Sequence, residues 1–358
     1  MAHVKGRGWI KDEHDSRDKA LFHQELYKVH LAPRHVLPQK VDLRPHCPPI
    51  YNQGQMGSCT ANAICRALRF GRQKFLGKKE DWQPARLYVY YNERVMENDV
   101  SLDNGAQIRD GISSLSTYGV CPEADWPYPD VNAPLSTDEE VNKWFQDSAV
   151  KPPAKVIDPE THELNVTAWK QFLGTEFSYY RVADMMTAGM DQQDLSDAPP
   201  MLQQLKKCLA SGYPFVFGLQ EYEGADLNKN IDENGVLADP PPLFTNPAPQ
   251  EIGGHAVMAV GYENEKKAVL IQNSWGATWG TNTYPNGYKE WGADNPELFK
   301  KDPAMAGHFW MPYTWFERVY VDGKLVEHGD WEKLDGGKAE PVSYVSDFWV
   351  IEVHNITS

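Results

Sequence analysis

The apolar and polar positions divide the chain into a helical first part and a strand-rich second part. Ala61, Ile64, Cys65 and Leu68 recur at helical spacing, and Ala63, Ala67 and Phe70 cover the opposite side. That spacing predicts a helix apolar nearly all round and central to the core. Ser58 is placed to cap its start and Gly71 to stop it. Further helices are predicted over Tyr88–Val95, over Gln107–Tyr118 with Gly119 as the stop, and over Met201–Leu209. The later pattern changes to strands. Tyr213–Leu219 reads as a buried strand, and His255–Tyr262 with Lys267–Gln272 reads as a hairpin turning at Glu263–Lys266. Gly307–Pro312 and Ser346–Glu352 are two more extended runs. Asn132–Pro200 is polar and weakly patterned and reads as insertion-rich. Helices first and strands second predict an α+β protein with two segregated lobes.

Composition adds limits. At 358 residues with 41% hydrophobic content, the chain can pack a large core as two domains or one domain with insertions. A net charge of −15 argues against nucleic acid or an anionic membrane surface as a partner. No run of 18 apolar residues and no apolar signal core at the amino terminus occur, so a cytoplasmic location is the expectation, with export lacking such a signal as the alternative. The five cysteines (Cys47, Cys59, Cys65, Cys121 and Cys208) form neither a disulfide framework nor a CxxC zinc pair. His14, His23, His30 and His35 lack the i, i+4 spacing of helix-borne ligands and read as solvated surface. Asn228–Asp239 resembles a calcium loop in composition only: with Gly235 as the sixth position, the twelfth is Pro241, so a surface loop is expected. Neither metal nor cofactor is expected.

Candidate chemistry gathers at the helix start. Tyr51–Ala63 is a Gly-rich loop entering the central helix, with Cys59 in its first turn. Unpaired N–H groups and the helix dipole there favour a thiolate. A lone cysteine on an apolar helix is more often structural, so the assignment needs partners. His255 follows the pair Gly253-Gly254, and Asn273 ends the other strand of the predicted hairpin, which brings the two together. Asn273 is then placed to accept the ring N–H of His255 and fix its tautomer. Gln53, in the loop, is placed to offer its amide to an oxyanion beside the Cys59 N–H.

Gln53–Cys59, Gly253–Val257, Gln272–Gly276 and Trp279-Gly280 together resemble the papain-type cysteine peptidases, with blocks in order from about Val41 to the end. The resemblance implies a two-lobed fold: a helical lobe over about 41–130 and a barrel-like antiparallel β lobe over about 131–358, with a cleft between them. It implies Cys59 as nucleophile, with a thiol pKa lowered to about 4, His255 as acid/base, Asn273 as orienter and Gln53 as oxyanion donor. Trp275 would shield the His–Asn bond. Asn104, Gly105 and Ala106 would line the unprimed cleft, with Gly254 beside the substrate. The reaction implied is hydrolysis of polypeptides through a thioacyl-enzyme. Acyl transfer to an amine, or a silent binding module on the same fold, are the alternatives.

Several departures are visible. Met56 and Thr60 stand where the family usually has a cysteine and an aromatic residue, which removes a usual disulfide. The Cys-to-His interval exceeds the usual roughly 130–150 residues, so insertions are expected at about 130–200 and 223–252, with another at 281–306. Only about 40 residues precede the match, and residues 1–40, including Trp9–Asp12, are expected to form a short strap or regulatory cover.

Overall fold

The computed structural model describes residues 7–13, 37–77, 82–131, 135, 137–174, 176–183, 201–277, 279, 305–321, 324–327 and 342–354. In chain order, β1 (Trp9–Ile10) and β2 (Lys40–Asp42) precede helices α1 (Cys59–Phe75) and α2 (Arg86–Met96). After β3 (Ala106–Gln107) come α3 (Ile108–Tyr118), α4 (Asp138–Ala149), α5 (Val166–Leu173), β4 (Glu176–Ala183) and α6 (Met201–Ala210). The remainder is β5 (Phe215–Tyr222), β6 (Glu251–Glu263), β7 (Ala268–Gln272), β8 (His308–Pro312), a short α7 (Thr314–Glu317), and then β9 (Arg318–Val321), β10 (Lys324–Glu327), β11 (Val342–Ser343) and β12 (Val345–His354).

One antiparallel sheet organises the β-rich part, in the order β4-β12-β5-β6-β7-β8. The long strand β6 gives its first part to β5 and its last three residues to β2. Helix α1 packs across β6 and β12, with α2 and α3 on its other side. The predicted α+β class and hairpin are therefore observed. β6 and β7 pair with Met258 opposite Gln272, and the turn closes at Lys267 N–H to Asn264 O.

The structure corrects the reading of α1 in three places. Gly71 does not stop the helix, which continues to Phe75. The glycine instead permits close approach of β12, because a Cβ there would lie 2.8 Å from Val353 Cγ2. Ser58 sits at the N-cap but makes no side-chain cap bond. Its Oγ is engaged by the Tyr128 hydroxyl at 2.6 Å and by Asn62 Nδ2 at 3.1 Å. Nor is the helix apolar all round: Arg66, Arg69 and Arg72 are buried on it.

The weakly patterned stretch also carries more structure than its composition suggested. Thr137 and Glu140 form a reciprocal capping box at the start of α4, which packs on α2. β4, from the same stretch, pairs with β12 as an edge of the main sheet. The Asn228–Asp239 loop is less superficial than expected, since Ile231 and Leu237 join the core beside Ala225 and Leu227. The Asp232 carboxylate serves that loop's own backbone, accepting Val236 N–H at 2.8 Å. His14, His23, His30 and His35, and most of 281–306, lie outside the described residues. Among the described residues no group of three or more His, Cys, Asp or Glu is placed to hold a metal, and no helix is long and apolar enough to cross a membrane.

The contact at Gly71 gives a test of packing. Gly71→Leu should destabilise the fold by about 1–3 kcal/mol through overpacking against β12, read as a lowered melting temperature. Val353→Ala in the same chain should recover part of the loss. Unchanged melting of the single variant would contradict the close approach.

Candidate active site

The loop ahead of α1 is stitched to the segment following β7. Gln53 N–H donates to Ser274 O at 2.9 Å, and Gly276 N–H donates to Tyr51 O at 2.9 Å. The Gln53 side chain is held at both ends: its Oε1 accepts from Ser274 Oγ at 2.5 Å and its Nε2 donates to Met56 O at 2.9 Å. Cys59 is the first residue of α1, and its sulfur lies near the backbone N–H groups of Ala256, Gly8 and Thr60. Ala256 is the neighbour of His255, so the sulfur and the histidine share one wall of the site.

His255 is fully buried in β6, and its Nε2 lies 2.8 Å from Asn273 Oδ1. Asn273 Oδ1 also accepts Ser274 N–H at 2.8 Å, so the amide presents its oxygen to the ring. Nε2 therefore carries the hydrogen, and Nδ1 is the nitrogen that exchanges a proton. Trp275 stacks on the imidazole with centroids 4.8 Å apart, and Trp279 meets Trp275 edge-on at 5.4 Å. Cys59, His255, Asn273, Gln53 and Trp275 are thus brought together.

A residue the sequence reading missed supports this arrangement. Arg66 Nη1 donates to the Asn273 carbonyl at 2.9 Å and the Gln272 carbonyl at 3.3 Å. It lies seven residues after Cys59, two helical turns along the same face, and that spacing was the available signal. Thr60, in the usual aromatic position, donates from Oγ1 to the buried Glu93 carboxyl at 2.8 Å. Burial raises Glu93 well above the ordinary carboxylate range.

The cleft is filled by the chain's own amino-terminal segment, residues 7–12. Gly8 O accepts Ala106 N–H at 2.7 Å, and β1 runs parallel to β3 with Trp9 opposite Ala106. Gly8 lies where no side chain fits, because a Cβ there would overlap the Gly57 carbonyl. Gly105 and Ala106 are covered by this segment, and Gly254 lies against Trp9. Asn104 does not join them: it stays exposed, and its Nδ2 donates to Asp99 Oδ2 at 2.9 Å.

Three side chains anchor the segment. Trp9 covers Gly218 and donates from Nε1 to Asp347 Oδ2 at 3.0 Å. Asp12 Oδ2 accepts from Trp349 Nε1 at 2.8 Å and Arg181 Nη2 at 3.0 Å. Arg7 pairs with Glu221 and Asp226. Burial raises the Asp12 carboxyl above its ordinary value, and the Arg181 charge opposes that rise.

The cover overturns one expectation about Cys59. Burial pushes its thiol up to about 12, against the pull of the nearby Ala256, Gly8 and Thr60 N–H groups, and the nearby Glu93 adds to the rise. The depressed value expected from the helix start is not that of the covered site. All five cysteines are thiols.

Residues 203–293 match the family model described as papain family cysteine protease. An uncharacterized peptidase C1-like protein of Acanthamoeba polyphaga mimivirus is 32% identical over 314 residues, which cover 85% of each chain. Among solved structures, xylellain, a cysteine protease from Xylella fastidiosa, is 30% identical with a TM-score of 0.59, covering 97% of this chain and 96% of its own. The procathepsin B of Trypanosoma congolense shares the fold at 14% identity and TM-score 0.52, over 86% of this chain and 80% of its own.

The raised thiol predicts how Cys59 titrates. A pKa raised from 9.0 to about 12 leaves the neutral form dominant through pH 9 to 11. Alkylation of Cys59 by iodoacetamide, followed by peptide mapping, should be slow at pH 7 and rise about tenfold per pH unit. A plateau below pH 8 in the full chain would contradict the buried, covered thiol.

Proposed function

Because the chain belongs to the papain family of cysteine proteases, we propose that it hydrolyses polypeptides through a Cys59 thioacyl-enzyme, and that its own residues 7–12 hold it closed until displaced. The observation that carries this reading is the cleft itself: an extended peptide backbone already runs between Ala106 and Gly254, across a sulfur that neighbours a His255–Asn273 pair.

The covering segment sits as an occupant rather than a substrate. Cys59 meets it at the Gly8 N–H, while the Gly8 carbonyl is held by Ala106 on the opposite wall. Nucleophilic attack needs a carbonyl carbon at the sulfur, with its oxygen among N–H donors. Displacing the segment removes the desolvation that raises the thiol, and the helix start together with protonated His255 then favours the thiolate.

A substrate carbonyl entering that space meets Cys59 Sγ. The Cys59 N–H and Gln53 Nε2, which must turn from Met56 O, stabilise the oxyanion. His255 Nδ1 protonates the leaving amine, and the thioester forms as the C–N bond breaks. His255 next takes a proton from water, whose oxygen attacks the acyl carbon; the C–S bond breaks, releasing the acid and restoring the Cys59 thiolate beside protonated His255. Asn273 holds the ring throughout, so that Nδ1 and not Nε2 faces the reaction.

Full-length Gly8→Leu should unseat the segment, since the added side chain has no room against Gly57. Hydrolysis of a denatured protein substrate should increase at least tenfold over the native chain. Cys59→Ala in that background should abolish it, and Gln53→Ala should lower turnover on the order of 10²–10³. Retained hydrolysis in the Cys59→Ala chain would defeat the proposed chemistry, and equal rates for native and Gly8→Leu chains would defeat the closure.

A further inference from the structure

Arg7 is held by a receptor built from other parts of the chain. Its Nε and Nη2 lie 2.9 and 3.0 Å from the two oxygens of Glu221, and Nη2 is also 3.0 Å from Asp226 Oδ1. Nη1 reaches the Ile252 carbonyl at 3.4 Å. The Glu221 side chain is 0% exposed and that of Asp226 11%. Backbone groups fix both carboxylates independently of Arg7: Leu227 N–H donates to Glu221 Oε2 at 3.0 Å, and Asn228 N–H donates to Asp226 Oδ1 at 2.8 Å.

The wall beside them is cut to receive the alkyl stem. Gly253 stands opposite Glu221 in the β5–β6 register and has φ 137°. A Cβ at Gly253 would lie 2.7 Å from Arg7 Cδ. A paired carboxylate site of this kind, closed to water on one side, is costly to leave without a cation. The fork geometry suits guanidinium, which fills two oxygens of one carboxylate and one of the other at once; an ammonium cannot reproduce that pattern.

We propose that Glu221, Asp226 and Gly253 form a specificity pocket for a basic side chain of the polypeptide substrate, arginine above all, and that Arg7 is its resident occupant. This rests on the peptidase reading. From Gly8 at Cys59, the segment runs along Ala106–Gln107 through Trp9 and Ile10. With the Asn104–Ala106 wall as the acyl side of the cleft, Arg7 lies on the other side of Gly8, against Gly253, and so on the amine side. The pocket therefore selects the residue just after the cleaved bond. Displacing the cover and recognising the substrate then use the same carboxylates.

The test gives full-length Gly8→Leu a mixture of peptides randomised on both sides of the cut, with cleavage sites read by mass spectrometry. Arginine should be enriched roughly tenfold or more over leucine on the amine side, with lysine between them. Glu221→Gln and, separately, Asp226→Asn in that background should reduce the enrichment several-fold, with thermal melts confirming that each variant folds. Cleavage without basic preference overturns the pocket and leaves the peptidase reading standing. Absence of cleavage by a chain whose Cys59 still alkylates counts against the peptidase reading instead. The pocket is then judged without turnover, by binding of a labelled synthetic peptide of residues 7–13 to full-length Gly8→Leu, Cys59→Ala. Citrulline in place of Arg7 in that peptide should weaken binding roughly tenfold or more; equal binding overturns the pocket.

Discussion

The Arg66 guanidinium joins the helix that carries Cys59 to the carbonyls at the end of β7, and the rest of the site depends on that clamp. A buried arginine is expensive, and burial, with the nearby Arg86 charge adding to it, brings its pKa down to about 10. Two carbonyl partners of Nη1 and the Tyr51 ring, 5.2 Å from the guanidinium carbon, offset part of the cost, while Nε and Nη2 are buried without a hydrogen-bond partner among the described residues. In return the relation between two elements of different kind becomes fixed. α1 cannot slide along the sheet without breaking charge-assisted bonds, so Cys59 keeps its distance from Ala256 and His255. The same bonds hold the Asn273 backbone, which lets its side-chain oxygen stay on the imidazole. A packed apolar contact in that place would contribute burial but no such register.

The amino-terminal segment follows the same logic in a different form. It contributes only a two-residue parallel pairing with β3, a weak unit by itself. What positions it is a set of buried polar attachments on either side of Gly8, each with charge or hydrogen-bond geometry to satisfy. Asp347, in a left-handed conformation at φ 58°, offers one carboxylate oxygen to both the Trp9 indole and the Asp12 N–H. The Trp349 indole and Arg181 converge on Asp12 from the sheet. Networks of this kind specify one register strongly while adding little net stability. That balance would suit the cover proposed above, well placed yet removable.

Much of this was legible in the sequence, for physical reasons. The helix and hairpin periods located Cys59, His255 and Asn273, because a tight antiparallel turn leaves little freedom in where its strand ends meet. The Thr137–Glu140 capping box was equally readable, yet the polar composition around it masked α4 and α5, and β4 is held in place by its partner β12 more than by its own pattern. Gly71 and Ser58 misled because a glycine or a serine has several uses, and the choice among them is made by Val353 and Tyr128, remote in the chain. The ionisation of Cys59 was least legible. Helix-start chemistry is local, but desolvation depends on Gly8, which is far away in sequence and touches the sulfur only in the fold.

The covering segment is also covalently continuous with β2, whose three residues are paired to β6 in the main sheet. Its encounter with the cleft is therefore intramolecular, with an effective concentration set by the length of the connecting chain. On the proposed closure, a cover tethered in this way would not dissociate on dilution, and closure would be independent of how much protein is present. A substrate in solution would then compete against that local concentration as well as against the contacts themselves. Short peptides binding weakly at one or two subsites lose this competition at ordinary concentrations. Long polypeptides that engage several subsites together, each adding to a single binding event, are favoured, so the tether itself acts as a filter on substrate length.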